Sequence, residues 1–198
     1  MDLLPDIRPK LTLPPNEAAE VAAACAVAGV ILEYGSGGST VLAAEMAGKT
    51  VFSVESDAEW LESLAGYFAL HPPLAKLHLH HGDIGKTKVW GQPQSDKFFR
   101  KWPNYPNTVW DLPEFLHPDL VLIDGRFRAA CFLTTLFRIT RPVTVLWDDY
   151  RDRPPYHLVE QLVKPVRIVG RMARFEIMPT PVPADRLAWV IQTYLQAN

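Results

Sequence analysis

The sequence predicts a doubly wound α/β domain, with a mostly parallel sheet and helices on both faces. Three observations carry this. Short apolar runs alternate with segments of helical spacing, the signature of parallel strands joined by crossover helices. Leu120-Val121-Leu122-Ile123 is uncharged and rich in branched residues, as expected of a strand buried on both faces. A glycine-rich turn, Gly35-Ser36-Gly37-Gly38, joins the first such run to the next helical segment.

The elements follow in order. Residues 1–15 are proline-rich and read as an extended lead-in. A helix is expected over 16–27, with Asn16 as cap, Glu17 and Glu20 near its positive end and Gly29 beyond its end. Val30-Ile31-Leu32-Glu33 is the first strand, and 40–47 a helix between the cap Ser39 and the stop Gly48. Residues 51–54 form the second strand. Ser56-Asp57-Ala58-Glu59 then has the form of a capping box, with Leu61, Leu64, Tyr67 and Phe68 at helical spacing behind it. Strands are read at 77–80, 120–123 and 143–147, with helices at 128–139 and 157–163. Residues 166–169 and 173–177 flank Gly170 and read as an antiparallel edge pair, followed by a helix carrying Leu187, Val190, Ile191, Tyr194 and Leu195. Residues 86–117 show no period yet hold Trp90, Trp102 and Trp110, so they read as an ordered insertion or lid.

At 198 residues the chain suits one domain, 1–198, that needs no disulfide or metal to hold a core. Its net charge of -2 supplies no field for a phosphate backbone, so nucleic acid is not an expected partner. Arg167, Arg171 and Arg174 read as a solvated face. The longest apolar run, residues 21–32, is too short to span a bilayer, and no signal peptide is visible. Cys25 and Cys131 read as buried free thiols, and the expected compartment is the cytoplasm.

The strand–turn–helix at 30–47 carries the chemistry. Gly35 lets the chain turn off the strand, and Gly37 and Gly38 let bare backbone approach a ligand. Glu55 ends the second strand twenty residues beyond Gly35, where a carboxylate can accept ribose hydroxyls or cap the next helix. Thr40 stands where a dinucleotide fingerprint needs its third glycine, which disfavours a nicotinamide cofactor.

Residues 30–39 resemble motif I of the class I S-adenosylmethionine-dependent methyltransferases, with Ser39 at the last glycine position. The resemblance extends over most of the chain. It implies the strand order 3-2-1-4-5-7-6 in a seven-stranded sheet. It implies S-adenosylmethionine as cofactor, with Glu33 and the turn Tyr34, Gly35, Ser36, Gly37, Gly38 and Ser39 around its methionine part. Glu55 and Ser56 would face the ribose, Asp83 and Ile84 the adenine, and Asp124 the methyl group.

Methyl transfer is an in-line displacement that needs alignment and, for some acceptors, a proton acceptor. Asp124 and Asp148 are the candidate catalytic residues, with Asp149 beside them. Three converging carboxylates would hold a divalent cation or pair with arginine, and pairing with Arg126 or Arg128 is the expectation. The arrangement is similar to that of the metal-assisted catechol-type O-methyltransferases, except that Asp149 replaces their asparagine. Arg126 and Arg128 could instead clamp an anionic acceptor. Trp90, Trp102, Trp110 and Tyr105 could stack on a flat acceptor, or the rings of 86–117 could cover a sheet edge or a homodimer interface. His78 and His80 share a strand face and receive no role. The function expected is methylation of a small molecule at oxygen or nitrogen. The rival is a degenerate relative that binds S-adenosylmethionine or S-adenosylhomocysteine without turnover, as a sensor or oligomerising partner.

Overall fold

Four largely apolar runs, buried on both sides, set the centre of the molecule. The structure, a computed structural model, describes residues 7–197. Its strands are β1 (Val30–Tyr34), β2 (Thr50–Glu55), β3 (Lys76–His81), β4 (Leu120–Ile123), β5 (Val143–Trp147), β6 (Arg167–Val169) and β7 (Met172–Ile177). They form one sheet in the order β3-β2-β1-β4-β5-β7-β6. The first five are parallel, and β7 pairs antiparallel with both β5 and β6. This is the expected topology.

The helices are α1 (Pro15–Val27), α2 (Gly38–Ala44), α3 (Ala58–Leu70), α4 (Asn104–Asn107), α5 (Arg128–Arg138) and α6 (Leu187–Thr193). On one face α1 and α2 pack Val21, Ala24, Cys25 and Ala43 against Ile31, Val51, Leu120 and Leu122, and α3 adds Leu64, Tyr67 and Phe68. On the other, α5 and α6 cover Val121, Ile123, Val145 and Trp147. The stretch 86–117 completes that second face. It holds α4, short 3₁₀ turns and a two-residue ladder joining 87–88 to 92–93, and it lays Trp102, Tyr105, Val109 and Trp110 over β1 and β2. Its tryptophans are therefore mostly core: Trp102 and Trp110 are buried, while Trp90 stands 73% exposed at the ladder's tip.

Several caps differ from expectation, and at Ser39 and Ser56 a tertiary partner takes the side chain. Helix α1 starts at Pro15, so Asn16 is not its cap. Helix α2 starts at Gly38 with Gly37 before it, because the Ser39 hydroxyl is drawn to Glu33. Asp57, not Ser56, caps α3 by accepting the N–H groups of Glu59 and Trp60, while Ser56 donates to Gly91 O. The segment 154–161 forms 3₁₀ turns rather than an α-helix. Part of the lead-in, residues 1–6, lies outside the described residues. Cys25 and Cys131 are buried free thiols, and no described helix is long and apolar enough to cross a membrane.

Candidate cofactor and acceptor site

Parallel strands deliver their carboxyl ends to one edge, where β1 and β4 are neighbours and the crossovers depart in opposite directions. The edge therefore gathers the turn after β1, Glu55 at the end of β2, Asp83 after β3, Asp124 after β4 and Asp148-Asp149 after β5.

The β1 turn is built around a buried carboxylate. Glu33 accepts hydrogen bonds from Thr40 Oγ1 (2.5 Å), Ser53 Oγ (2.7 Å) and the Ser39 hydroxyl. Burial raises its pKa above the usual carboxylate range, and the three hydroxyls oppose that rise. Both oxygens face into the protein, so Glu33 holds the turn from behind. The glycines divide the labour. Gly35 sits at φ +104°, and a Cβ there would lie 2.6 Å from Gly125 N. A Cβ on Gly38 would strike the backbone of Leu11, so this glycine makes room for the lead-in rather than for a ligand. A Cβ on Gly37 meets nothing within 4 Å, so Gly37 alone opens outward. Trp60, from α3, steadies the turn by donating its indole N–H to Ser36 O (2.8 Å). Tyr34 points to the second face, donating to Pro106 O and accepting from the Trp110 indole (both 2.7 Å).

Glu55 is almost closed off. It accepts from the backbone N–H groups of Ser36 (3.2 Å), Ser56 (2.7 Å) and Asp57 (3.0 Å). Burial again lifts its pKa above the usual range. Gly91 lies against this carboxylate: a Cβ on it would stand 2.8 Å from Glu55 Oε1. Beyond it, Asp83 accepts from Gly85 N and pairs with Lys101 Nζ at 2.7 Å, which lowers its pKa. Ile84 is fully buried. Tyr105, also fully buried, fills the gap between strand ends: a Cβ on Gly82 would lie 2.9 Å from its ring, and one on Gly125 would collide with its hydroxyl.

The β4–β5 end is ionic. Arg128, at the start of α5, binds the carbonyls of Gly125 (2.9 Å), Asp148 (2.6 Å) and Asp124 (3.0 Å). It also pairs with the Asp124 carboxylate at 3.1 Å and with Asp149 at 3.4 Å. Asp148 is fully buried, with its oxygens held by Arg171 Nε (3.0 Å) and Nη2 (2.6 Å). Asp149 is shared with Arg171 and Arg153. Pairing with arginine was expected, but Arg171 rather than Arg126 or Arg128 takes the Asp148 carboxylate. Nor is the 167–174 trio merely a solvated face, because Arg167 and Arg174 both pair with Glu20 of α1. The hairpin register explains this: Trp147 pairs with Ala173, which brings the residue before Met172 beside the end of β5. Burial, ahead of the neighbouring charges, raises the pKa of Asp124 to about 7. Arg126 forms no ion pair among the described residues. Among those residues no group of three His, Cys, Asp or Glu is arranged to hold a metal. His78 instead stacks on Phe52, with ring centroids 4.6 Å apart, and His80 bonds Thr108.

Sheet order, acidic β1 end and glycine turn together define a Rossmann-like methyltransferase fold. No family model and no curated protein matches the chain. Solved structures do. A methyltransferase-like protein from Silicibacter pomeroyi DSS-3 is 48% identical over 96% of this chain and 98% of its own, with a TM-score of 0.91. The O-methyltransferase TomG from Streptomyces achromogenes, solved with S-adenosylmethionine, is 16% identical, covering 86% of this chain and 82% of its own, with a TM-score of 0.57. The C-terminal domain of the precorrin-6Y C5,15-methyltransferase from Rhodobacter capsulatus is 16% identical over 85% of this chain and 91% of its own, with a TM-score of 0.53. The chain belongs to the family of that methyltransferase-like protein, and its fold is that of the class I S-adenosylmethionine-dependent methyltransferases.

The family's cofactor fits these residues in kind but not in this arrangement. A carboxylate stands at the end of β2, where the resemblance implies the ribose, yet Glu55 is covered by Gly91. The glycines at the strand ends form a cradle, but Gly82 and Gly125 cradle Tyr105, and Gly35 faces Gly125. Among the described residues three non-glycine residues adopt left-handed backbone conformations, and all lie around this edge: Trp90 (φ 65°), Phe127 (φ 50°) and Asp149 (φ 57°). Sequence reading missed Gly91, Gly125, Trp60 and Arg171 as parts of the site. Only Arg171 had a readable signal, through the edge hairpin that returns beside β5.

Proposed function

We propose that this single domain methylates a small-molecule acceptor at oxygen or nitrogen, using S-adenosylmethionine, in the cytoplasm. One observation carries the reading: the open backbone at Gly37, Glu55, Asp83 and Asp124 converge on one edge of a sheet with the family's strand order. Near-full-length likeness to the methyltransferase-like protein supports it. Asp124 is the residue proposed to take the acceptor's proton, because a group titrating at about 7 suits a general base at neutral pH. Asp148 is less suited, since Arg171 engages both its oxygens. Arg126 is the group proposed to meet an anionic substituent on the acceptor, because Arg128 is committed to its carboxylates and carbonyls.

A second reading, cofactor or product binding without turnover, draws support from the acceptor half. There Asp124, Asp148 and Asp149 each already hold an arginine. Calorimetric titration with S-adenosylmethionine, S-adenosylhomocysteine and NAD separates these from an oxidoreductase: the first two bind and NAD does not. Methyl transfer from labelled S-adenosylmethionine to a panel of small acids, phenols and amines then decides turnover. Label transferred to none of them, with binding intact, selects the second reading.

A further inference from the structure

Residues 87–93 form a small hairpin with two paired positions, Thr87 with Pro93 and Lys88 with Gln92. A two-stranded ladder of this size is marginal by itself. Its tip is exposed at Val89 and Trp90, and both Trp90 and Gly91 hold positive φ, which for a tryptophan is a strained conformation. What seats the tip is polar. Ser56 Oγ donates to Gly91 O at 2.8 Å, and the Gly91 backbone lies on the Glu55 carboxylate. Behind it Tyr105 is packed firmly, with the rings of Tyr34 and Phe127 each 5.9 Å away. The tip is thus weakly built and strained, whereas Tyr105 is core.

We infer that the 87–93 hairpin is a gate that the chain closes on its own cofactor crevice, Gly91 lying where a ribose would meet Glu55, so that S-adenosylmethionine enters only after the tip lifts. This rests on the cofactor reading above. Glu55 serves both states: in the closed state backbone N–H groups and the Gly91 segment surround it, and in the open state its outer side is free for hydroxyl donors. Apparent affinity is then the intrinsic affinity multiplied by the fraction of molecules in the open form.

The test is stopped-flow tryptophan fluorescence with S-adenosylhomocysteine, on the wild-type chain and on Gly91→Ala. A Cβ at Gly91 would press on Glu55 and Ser56, and it adds strain at a positive φ, so it disfavours the closed tip without touching the core. The wild-type association rate is expected to level off at high ligand, limited by opening. Gly91→Ala is expected to raise that plateau and to tighten binding at least tenfold. A wild-type rate that climbs linearly with ligand, together with unchanged or weaker binding by Gly91→Ala, overturns the gate and leaves the cofactor reading standing. No binding by either protein at millimolar ligand overturns both.

Discussion

At the β1–β3 half of the carboxyl edge the buried carboxylates Glu33 and Glu55 are held by hydroxyl and backbone donors, whereas at the β4–β5 half Asp124, Asp148 and Asp149 are held by arginines. Neutral donors do not cancel the desolvation of a carboxylate, so both glutamates titrate above their usual range. They shape a turn and a pocket wall without a strong field. The arginines instead lock three elements, the ends of β4 and β5 and the start of β7, into one ionic network. The first half is thus suited to opening and closing over a ligand, and the second to rigid presentation of charge.

The largest effect that sharpens this contrast is expected at Arg171. Arg171→Ala leaves Asp148 charged and fully buried, a loss of about 3–5 kcal/mol in urea unfolding. Arg171→Lys should rescue little, because one ammonium cannot replace the two-pronged contact. A loss below about 1 kcal/mol would mean that Arg128 already compensates Asp148.

The turn glycines come next. Gly35→Ala forces a Cβ against Gly125 at a left-handed position and should cost about 1–3 kcal/mol. Gly37→Val should stay within about 0.5 kcal/mol of wild type, since a Cβ there meets open space, yet should abolish binding of S-adenosylhomocysteine. Equal stability loss in both variants, or retained binding by Gly37→Val, would remove Gly37 from the ligand's path.

A smaller effect concerns pH. The pKa of Asp124 is raised in the folded chain, to about 7. Its contribution to stability is therefore fully present below the unfolded carboxylate value of about 3.9, and is lost as pH rises through about 7. Asp124→Asn should flatten the decline in urea midpoint between about pH 4 and 7 relative to wild type. Parallel profiles for the two proteins would place the Asp124 titration elsewhere.

Much of this architecture was readable in the residues. Strands β4 and β5 fall where their uninterrupted branched and apolar runs place them, because burial on both faces leaves no competing period. The caps were less readable. Ser39 and Ser56 look like local caps, but a buried Glu33 and the Gly91 carbonyl, distant in sequence or created by the fold, claim their hydroxyls. Segment 86–117 could not be read as regular structure because its order comes from aromatic contacts with β1 and β2, such as Trp110 on Tyr34, rather than from any local period. The residues proposed to surround the cofactor were legible by type and position. Their closure by Gly91 and Tyr105 was not, since it depends on how that segment returns over the sheet.

In the gate inferred above, the 87–93 hairpin occupies, rather than covers, the ligand's place. Amide hydrogen exchange over residues 86–117, with and without saturating S-adenosylhomocysteine, tests it most directly. The amides of Lys88 to Gln92 are expected to lose protection when ligand binds, as the tip leaves Glu55. Increased protection there would contradict it and make the hairpin a lid that folds down over the cofactor.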